Sequence, residues 1–106
     1  MKTLVDFKGS VSVISEEMTF EGNCNCEIII KEKGVNLSVK DNSKLVVYAT
    51  GFSVVSIDLY DNAEVFIDSF EFARVMIFRH SPNTKVTKKQ IGKNKIKDVK
   101  SSFFRG

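Results

Sequence analysis

The stretch that decides the fold runs from residue 35 to residue 79 and reads VNLSVKDNSKLVVYATGFSVVSIDLYDNAEVFIDSFEFARVMIFR. It contains five pentamers that start ten positions apart, and the first and third residues of each are aliphatic. This alternation, carried mainly by β-branched residues, predicts strands with one buried face and excludes a helix. The pentamers begin at Val35, Leu45, Val55, Val65 and Val75.

The segments that connect the pentamers alternate between two kinds, so the full period is twenty residues. One kind contains Asp41 and, twenty residues later, Asp61, and each is followed by Asn; the other contains Phe52 and Phe72. Asp and Asn favour tight turns because they tolerate left-handed backbone angles. Two architectures fit: a parallel β-solenoid of about twenty residues per coil, and an antiparallel meander or sandwich. Connections of five residues are long for hairpins, and like residues stack in a solenoid, which favours the solenoid.

Two repeat units carry a family resemblance. Residues 60–65 read YDNAEV and residues 40–45 read KDNSKL, and both resemble the "YDNAxV" repeats of small proteins from Bacteroidota and their phages. The expected coil is also similar to that of the bactofilins. The resemblance covers about residues 35–85 and implies a solenoid fold and a mobile-element origin. It transfers no functional residue to this chain.

Composition and charge indicate one domain with two unlike parts. The 106 residues are 42% hydrophobic and 27% charged, which is typical of a single soluble domain. Residues 1–84 carry 8 Lys and Arg against 12 Asp and Glu, whereas residues 85–106 carry 8 Lys and Arg against one Asp. We therefore predict an all-β single domain. Residues 1–84 form the solenoid body with its N-terminal cap, and residues 85–106 form a basic tail or cap, with a short amphipathic helix expected over 93–104.

Several function classes lack support in the sequence. No apolar run is long enough to span a membrane, no secretory signal is present, and two cysteines suit a reducing compartment, so we expect a cytoplasmic protein of a bacterial cell. Cys24 and Cys26 are expected to be buried core residues, since no second pair completes a metal site. His80 lies in a turn, where Glu71 or Asp68 are its nearest candidate partners. We predict no enzyme, catalytic residue, metal, cofactor or small-molecule substrate.

Two sets of residues are candidates for binding a partner. The cations of the C-terminal segment are expected to bind nucleic acid or an acidic surface. Apolar residues at outward strand positions and near the C-terminus are expected to form a protein interface. The cations are Lys85, Lys88, Lys89, Lys93, Lys95, Lys97, Lys100 and Arg105, and the apolar residues are Phe66, Met76, Phe78, Phe103 and Phe104.

Together these features predict a non-enzymatic binding or inhibitor module. Its small size and single domain are typical of a phage-encoded anti-defence protein, which here would bind RNA or a nucleoprotein complex through the basic segment. The alternative is a self-associating structural protein, either a bactofilin-like polymer or a virion component, because a solenoid has open strand edges that pair with a second copy.

Overall fold

The computed structural model describes residues 2–12, 14–92 and 95–100. For Ile91 and Lys100 it describes the backbone only. These residues form eleven strands and no helix, so no membrane-spanning helix is present among them. The strands are β1 (Lys2–Val5), β2 (Lys8–Val11), β3 (Glu17–Glu21), β4 (Asn25–Lys31), β5 (Gly34–Val39), β6 (Lys44–Thr50), β7 (Val54–Leu59), β8 (Glu64–Phe70), β9 (Arg74–Arg79), β10 (Lys85–Ile91) and β11 (Lys95–Lys100).

The strands build two parallel sheets that the chain visits in turn. The odd-numbered sheet has the order β1-β3-β5-β7-β9-β11, and the even-numbered sheet has the order β10-β8-β6-β4-β2. Every pair of neighbouring strands is parallel. The all-β parallel solenoid is therefore confirmed. The meander is wrong, because its neighbouring strands would be antiparallel.

Residues one coil apart stack in columns through the core. Leu37 pairs with Ile57, and Ile57 pairs with Ile77, at intervals of twenty residues. All three side chains are fully buried. Upstream, Met18 pairs with Leu37 at an interval of nineteen and Lys2 pairs with Met18 at an interval of sixteen. These shorter coils explain why the ten-residue rhythm is lost before residue 35.

The Asp–Asn corners are held together by side-chain hydrogen bonds that run from coil to coil. Asp41 and Asp61 adopt left-handed backbone angles, with φ of 59° and 56°. The Asp61 carboxylate accepts a bond from the Asp41 N–H at 3.0 Å, and the Asp41 carboxylate accepts one from the Gly22 N–H at 2.8 Å. Beside them the Asn62 side chain donates to the Asn42 side-chain oxygen at 3.1 Å. The turn residues thus bind successive coils as well as reversing the chain.

One glycine at these corners tolerates a Cβ poorly. Gly22 has φ of 73°, and a Cβ there would collide with the Asp6 carboxylate, which accepts a hydrogen bond from the Asn23 N–H at 2.7 Å. Gly34, by contrast, has no atom within 4 Å of a Cβ built on it. A side chain at position 22 would therefore strain the backbone and displace a corner hydrogen bond.

The basic C-terminal segment continues the solenoid. Residues 85–91 form β10 and residues 95–100 form β11, which extend the two sheets by one strand each. The expected helix is wrong for Lys95–Lys100, because Ile96 pairs with Val75 and continues a buried aliphatic column. The strand period of two therefore overrides the helix-like spacing of Ile96 and Val99. The remainder of the expected helix, including Lys93, Phe103 and Phe104, lies outside the described residues.

The core columns end in charged side chains at this last described coil. Asp98 occupies the position next to Ile77, and Lys88 the position next to Ile67. The Arg79 guanidinium donates to both Asp98 carboxylate oxygens, at 3.1 and 2.7 Å, and Lys88 Nζ lies 3.8 Å from Asp98 Oδ2. Inward-facing charges of this kind oppose the addition of another strand layer.

Candidate partner-binding surface

The cations of the C-terminal segment point in three directions. Lys85 and Lys89 lie on the outer face of the even-numbered sheet, and Lys95 and Lys97 lie on the outer face of the odd-numbered sheet. Lys88 faces the end of the core. The described lysines therefore surround a coil and do not form one flexible arm. The other predicted cations are Lys93, Lys100 and Arg105; Lys93 and Arg105 lie outside the described residues, and only the backbone of Lys100 is described.

The apolar residues predicted as one interface lie on opposite faces. Phe66 is 38% exposed on the even-numbered sheet, where it pairs with Val46. Met76 is 39% exposed on the odd-numbered sheet, and Phe78 shares that face but is half-buried. One flat partner therefore cannot cover all three residues. Phe103 and Phe104 lie outside the described residues.

The lysines of the even-numbered sheet have acidic neighbours. Lys85 pairs in register with Glu64, and Lys89 pairs with Asp68. Neighbouring strands lie about 4.8 Å apart, so each carboxylate offsets much of the field of the adjacent ammonium group. Glu64 also pairs with Lys44 on its other side, so these carboxylates reduce the positive charge of this face without cancelling it.

The odd-numbered sheet has a cationic cluster without such neighbours. Arg74 and Lys95 pair in register, and Lys97 pairs with Met76. Unlike Lys85 and Lys89, none of these three cations has an acidic register neighbour on a described strand. Among the described residues, neither set forms an ion pair at contact distance. Like charges directly across two strands destabilise a sheet, so this pair does not help the fold. Positive potential is therefore concentrated here.

Two exposed aromatic rings lie beside this cluster. Phe52 and Phe72 stack at successive corners with ring centroids 5.1 Å apart and planes 6° from parallel. They are 67% and 49% exposed, and Val54 between the corners is 50% exposed. Together with Arg74 and Lys95 they line a groove of about 280 Å³. We call this surface the aromatic–cationic patch, which consists of Phe52, Val54, Phe72, Arg74, Lys95 and Lys97.

The sequence predicts the aromatic half of this patch but not its cationic half. Phe52 and Phe72 are twenty residues apart in the same kind of connection, so a solenoid must stack them. The approach of Arg74 to Lys95 was missed, because these residues are twenty-one positions apart and only the register of β9 and β11 brings them together.

A wider groove of about 760 Å³ adjoins the patch at Val54 but has the opposite charge. The charged residues that line it are Glu16 and Glu17. Carboxylates repel phosphate, so this groove is unfavourable for a polyanion.

His80 belongs to a separate cluster on the odd-numbered sheet. Its Nε2 lies 2.8 Å from Asp58 Oδ1, and its ring stacks on Tyr60 with centroids 4.6 Å apart. The Lys40 ammonium lies 5.5 Å from the centroid of the Tyr60 ring. Burial, and secondarily Asp58, raise the pKa of the Tyr60 hydroxyl. The partner of His80 is thus Asp58, and not Glu71 or Asp68, and the stack joins successive coils.

The two cysteines anchor the first coil. Both are buried and free, and the Cys24 thiol donates to the Leu4 carbonyl at 3.4 Å while the Cys26 thiol donates to the Phe7 carbonyl at 3.2 Å. Burial, with a smaller effect of Cys24, raises the pKa of the Cys26 thiol to about 11. The reactive thiolate is therefore disfavoured. Among the described residues no three His, Cys, Asp or Glu side chains form a metal-binding group.

Comparison with protein-family models, with curated proteins and with solved structures found no match in any of the three. The fold therefore defines the class of this protein: it is a parallel β-solenoid protein with about twenty residues per coil.

Proposed function

We propose that this protein is a binding module for nucleic acid and that the aromatic–cationic patch is the contact surface. The observation that carries the proposal is the pairing of Arg74 with Lys95 without an opposing carboxylate among the described residues. A phosphate between the two cations would relieve their mutual repulsion and gain charge-assisted hydrogen bonds.

The rest of the charge distribution limits where a nucleic acid binds. Residues 1–84 carry a net charge of −4, from 8 Lys and Arg against 12 Asp and Glu. This body repels phosphate, and Glu64 and Asp68 offset the lysines of the opposite face. The basic segment thus contributes chiefly through Lys95 and Lys97, while Arg74 comes from the preceding coil.

The test is a fluorescence-anisotropy titration with a labelled twenty-nucleotide thymidine strand at several salt concentrations. The variant Arg74→Gln/Lys95→Gln is compared with Lys85→Gln/Lys89→Gln, which removes the same charge from the opposite face of the solenoid. The slope of log K against log salt is negative, and loss of two phosphate contacts on a single strand should reduce its magnitude by about 1.4. The comparison variant should change the slope less.

Two results would contradict the proposal. The first is that the wild-type protein binds no nucleic acid at low salt. The second is that Lys85→Gln/Lys89→Gln lowers the affinity more than Arg74→Gln/Lys95→Gln. Deletion of residues 85–106 is unsuitable as a test, because it also removes Val86 and Ile96, which pack against the core.

The biological role is part of the same proposal. A module of this kind would act without catalysis, as an inhibitor that occupies a nucleic acid or a nucleoprotein complex. The phage origin rests on the resemblance of residues 60–65 to the "YDNAxV" repeats, and the cytoplasmic location rests on the two cysteines and on the expected lack of a secretory signal. Both stay predictions.

Self-association is a second candidate function, and exposed apolar residues at the N-terminal end of the solenoid favour it. Among the described residues, β1 and β2 are the outermost strands of their sheets there. Val5 is 59% exposed and Phe7 is 36% exposed. Light scattering over a range of concentrations tests this role: a dimer that Val5→Lys converts to monomer supports it, and a strict monomer contradicts it.

A further inference from the structure

We infer that the aromatic–cationic patch selects single-stranded nucleic acid, with bases stacked on Phe52 and Phe72 and phosphates bound by Arg74 and Lys95. The inference rests on the proposed function and specifies which form of nucleic acid is bound.

The exposure of the two phenyl rings is the first argument. Phe52 and Phe72 are 67% and 49% exposed, although exposed aromatic surface is unfavourable in water. The rings contact each other, with planes 6° from parallel, and about half or more of each side chain stays exposed. Single-strand-binding proteins combine a cationic groove with aromatic side chains on which bases stack, and here a base can stack on a ring face that the other ring leaves uncovered.

The shape of the surface is the second argument. A duplex keeps the faces of its bases inside its own stack, so it offers phenyl rings nothing to stack on. Reading a duplex in its major groove requires a helix or a two-stranded ribbon that projects from the protein. The patch lies on a corner and on the face of a sheet, and the described residues contain no helix. Its groove of about 280 Å³ suits individual bases of an unpaired strand better than a duplex.

The placement of the cations is the third argument. The groove is lined by both rings and by both Arg74 and Lys95, so a base held on the rings keeps its own phosphates near the two cations. Glu16 and Glu17 border the adjoining groove and repel a strand that would extend in that direction. The strand is therefore expected to run past Phe72 toward Lys95 and Lys97.

The experiment measures binding of four labelled probes at low salt. They are the twenty-nucleotide thymidine strand, a duplex of twenty base pairs, an abasic strand of the same length, and polyglutamate. We expect the thymidine strand to bind at least about tenfold more tightly than the other three. Phe52→Ala and Phe72→Ala should each weaken its binding by about fivefold or more, because they remove a stacking contact. The same variants should leave binding of the abasic strand unchanged.

Ile29→Ala is the matched control, since Ile29 is 53% exposed on the outer face of the other sheet. It should alter no affinity, and circular dichroism should show that all variants are folded. Equal binding of thymidine, duplex and abasic strands, unaffected by the phenylalanine substitutions, would overturn the inference and leave the proposed function standing. Equal binding of polyglutamate would also overturn it and point to an acidic protein. Binding of none of the nucleic acids would overturn both.

Discussion

Removal of the Asp98 carboxylate should destabilise the solenoid more than removal of any exposed charge. Asp98 takes an inward position next to Ile77, and its carboxylate accepts two hydrogen bonds from the Arg79 guanidinium. Replacement of Asp98 by Leu leaves the Arg79 cation largely desolvated and unpaired. It also removes the weaker contact with Lys88, whose side chain is 43% exposed.

The exposure of the pair determines the expected cost. Exposed ion pairs contribute about 0.2–1 kcal/mol, whereas removal of one partner of a fully buried pair costs about 3–5 kcal/mol. The side chains of Arg79 and Asp98 are 16% and 12% exposed. With two direct hydrogen bonds between charged groups, we expect Asp98→Leu to cost about 2–3 kcal/mol.

A double-mutant cycle measured by urea unfolding isolates this interaction. Arg79→Leu, Asp98→Leu and the double variant are compared with the wild type. The double variant extends two aliphatic columns of the core, so it should be more stable than Asp98→Leu alone. The coupling free energy should be about 2 kcal/mol. The matched control is Asp58→Leu, because Asp58 and its partner His80 are 34% and 35% exposed. This control should cost less than about 1 kcal/mol.

A coupling free energy below about 1 kcal/mol would refute the reasoning, because exposed pairs contribute about 0.2–1 kcal/mol. Equal losses for Asp98→Leu and Asp58→Leu would refute it as well.

Three further outcomes are expected. Gly22→Ala should lower the free energy of unfolding by more than about 1 kcal/mol, because the φ of Gly22 is 73°. Gly34→Ala should cost less, because a Cβ there meets no atom within 4 Å. A smaller loss for Gly22→Ala than for Gly34→Ala would contradict the corner geometry. Ser53→Ala should be neutral or stabilising in urea unfolding, since the buried Ser53 hydroxyl has no hydrogen-bond partner among the described residues. A loss of unfolding free energy above about 1 kcal/mol would show that a partner exists. Cys26 should react with a thiol reagent at pH 8 only on unfolding, because its pKa is about 11 in the folded chain, and rapid labelling of the native protein would contradict its burial.

The solenoid could be predicted from the sequence because most of its core obeys one simple rule. From Val35 to Ile77, side chains alternate between a buried and an outer position, and the twenty-residue interval brings like residues together. Hydrophobic burial and turn chemistry therefore indicate the same architecture. The stacking of Phe52 on Phe72 follows from that interval as well.

The last coil could not be predicted in the same way. Lys88 and Asp98 occupy core positions, although the alternation rule assigns charged residues to the surface. The Lys88 side chain stays 43% exposed, and the burial of Asp98 is tolerated because the Arg79 guanidinium pairs with it. Pairs such as Asp58 with His80 and Arg74 with Lys95 depend on the strand register, which the sequence alone leaves open by one residue.

The most direct test of the binding account is a ¹H–¹⁵N NMR titration of the whole chain with the thymidine strand. We predict that the largest amide shift changes cluster at Phe52, Phe72, Arg74 and Lys95, and that they disappear at high salt. Changes centred on Lys85 and Lys89, on β1 and β2, or an unchanged spectrum would contradict the account.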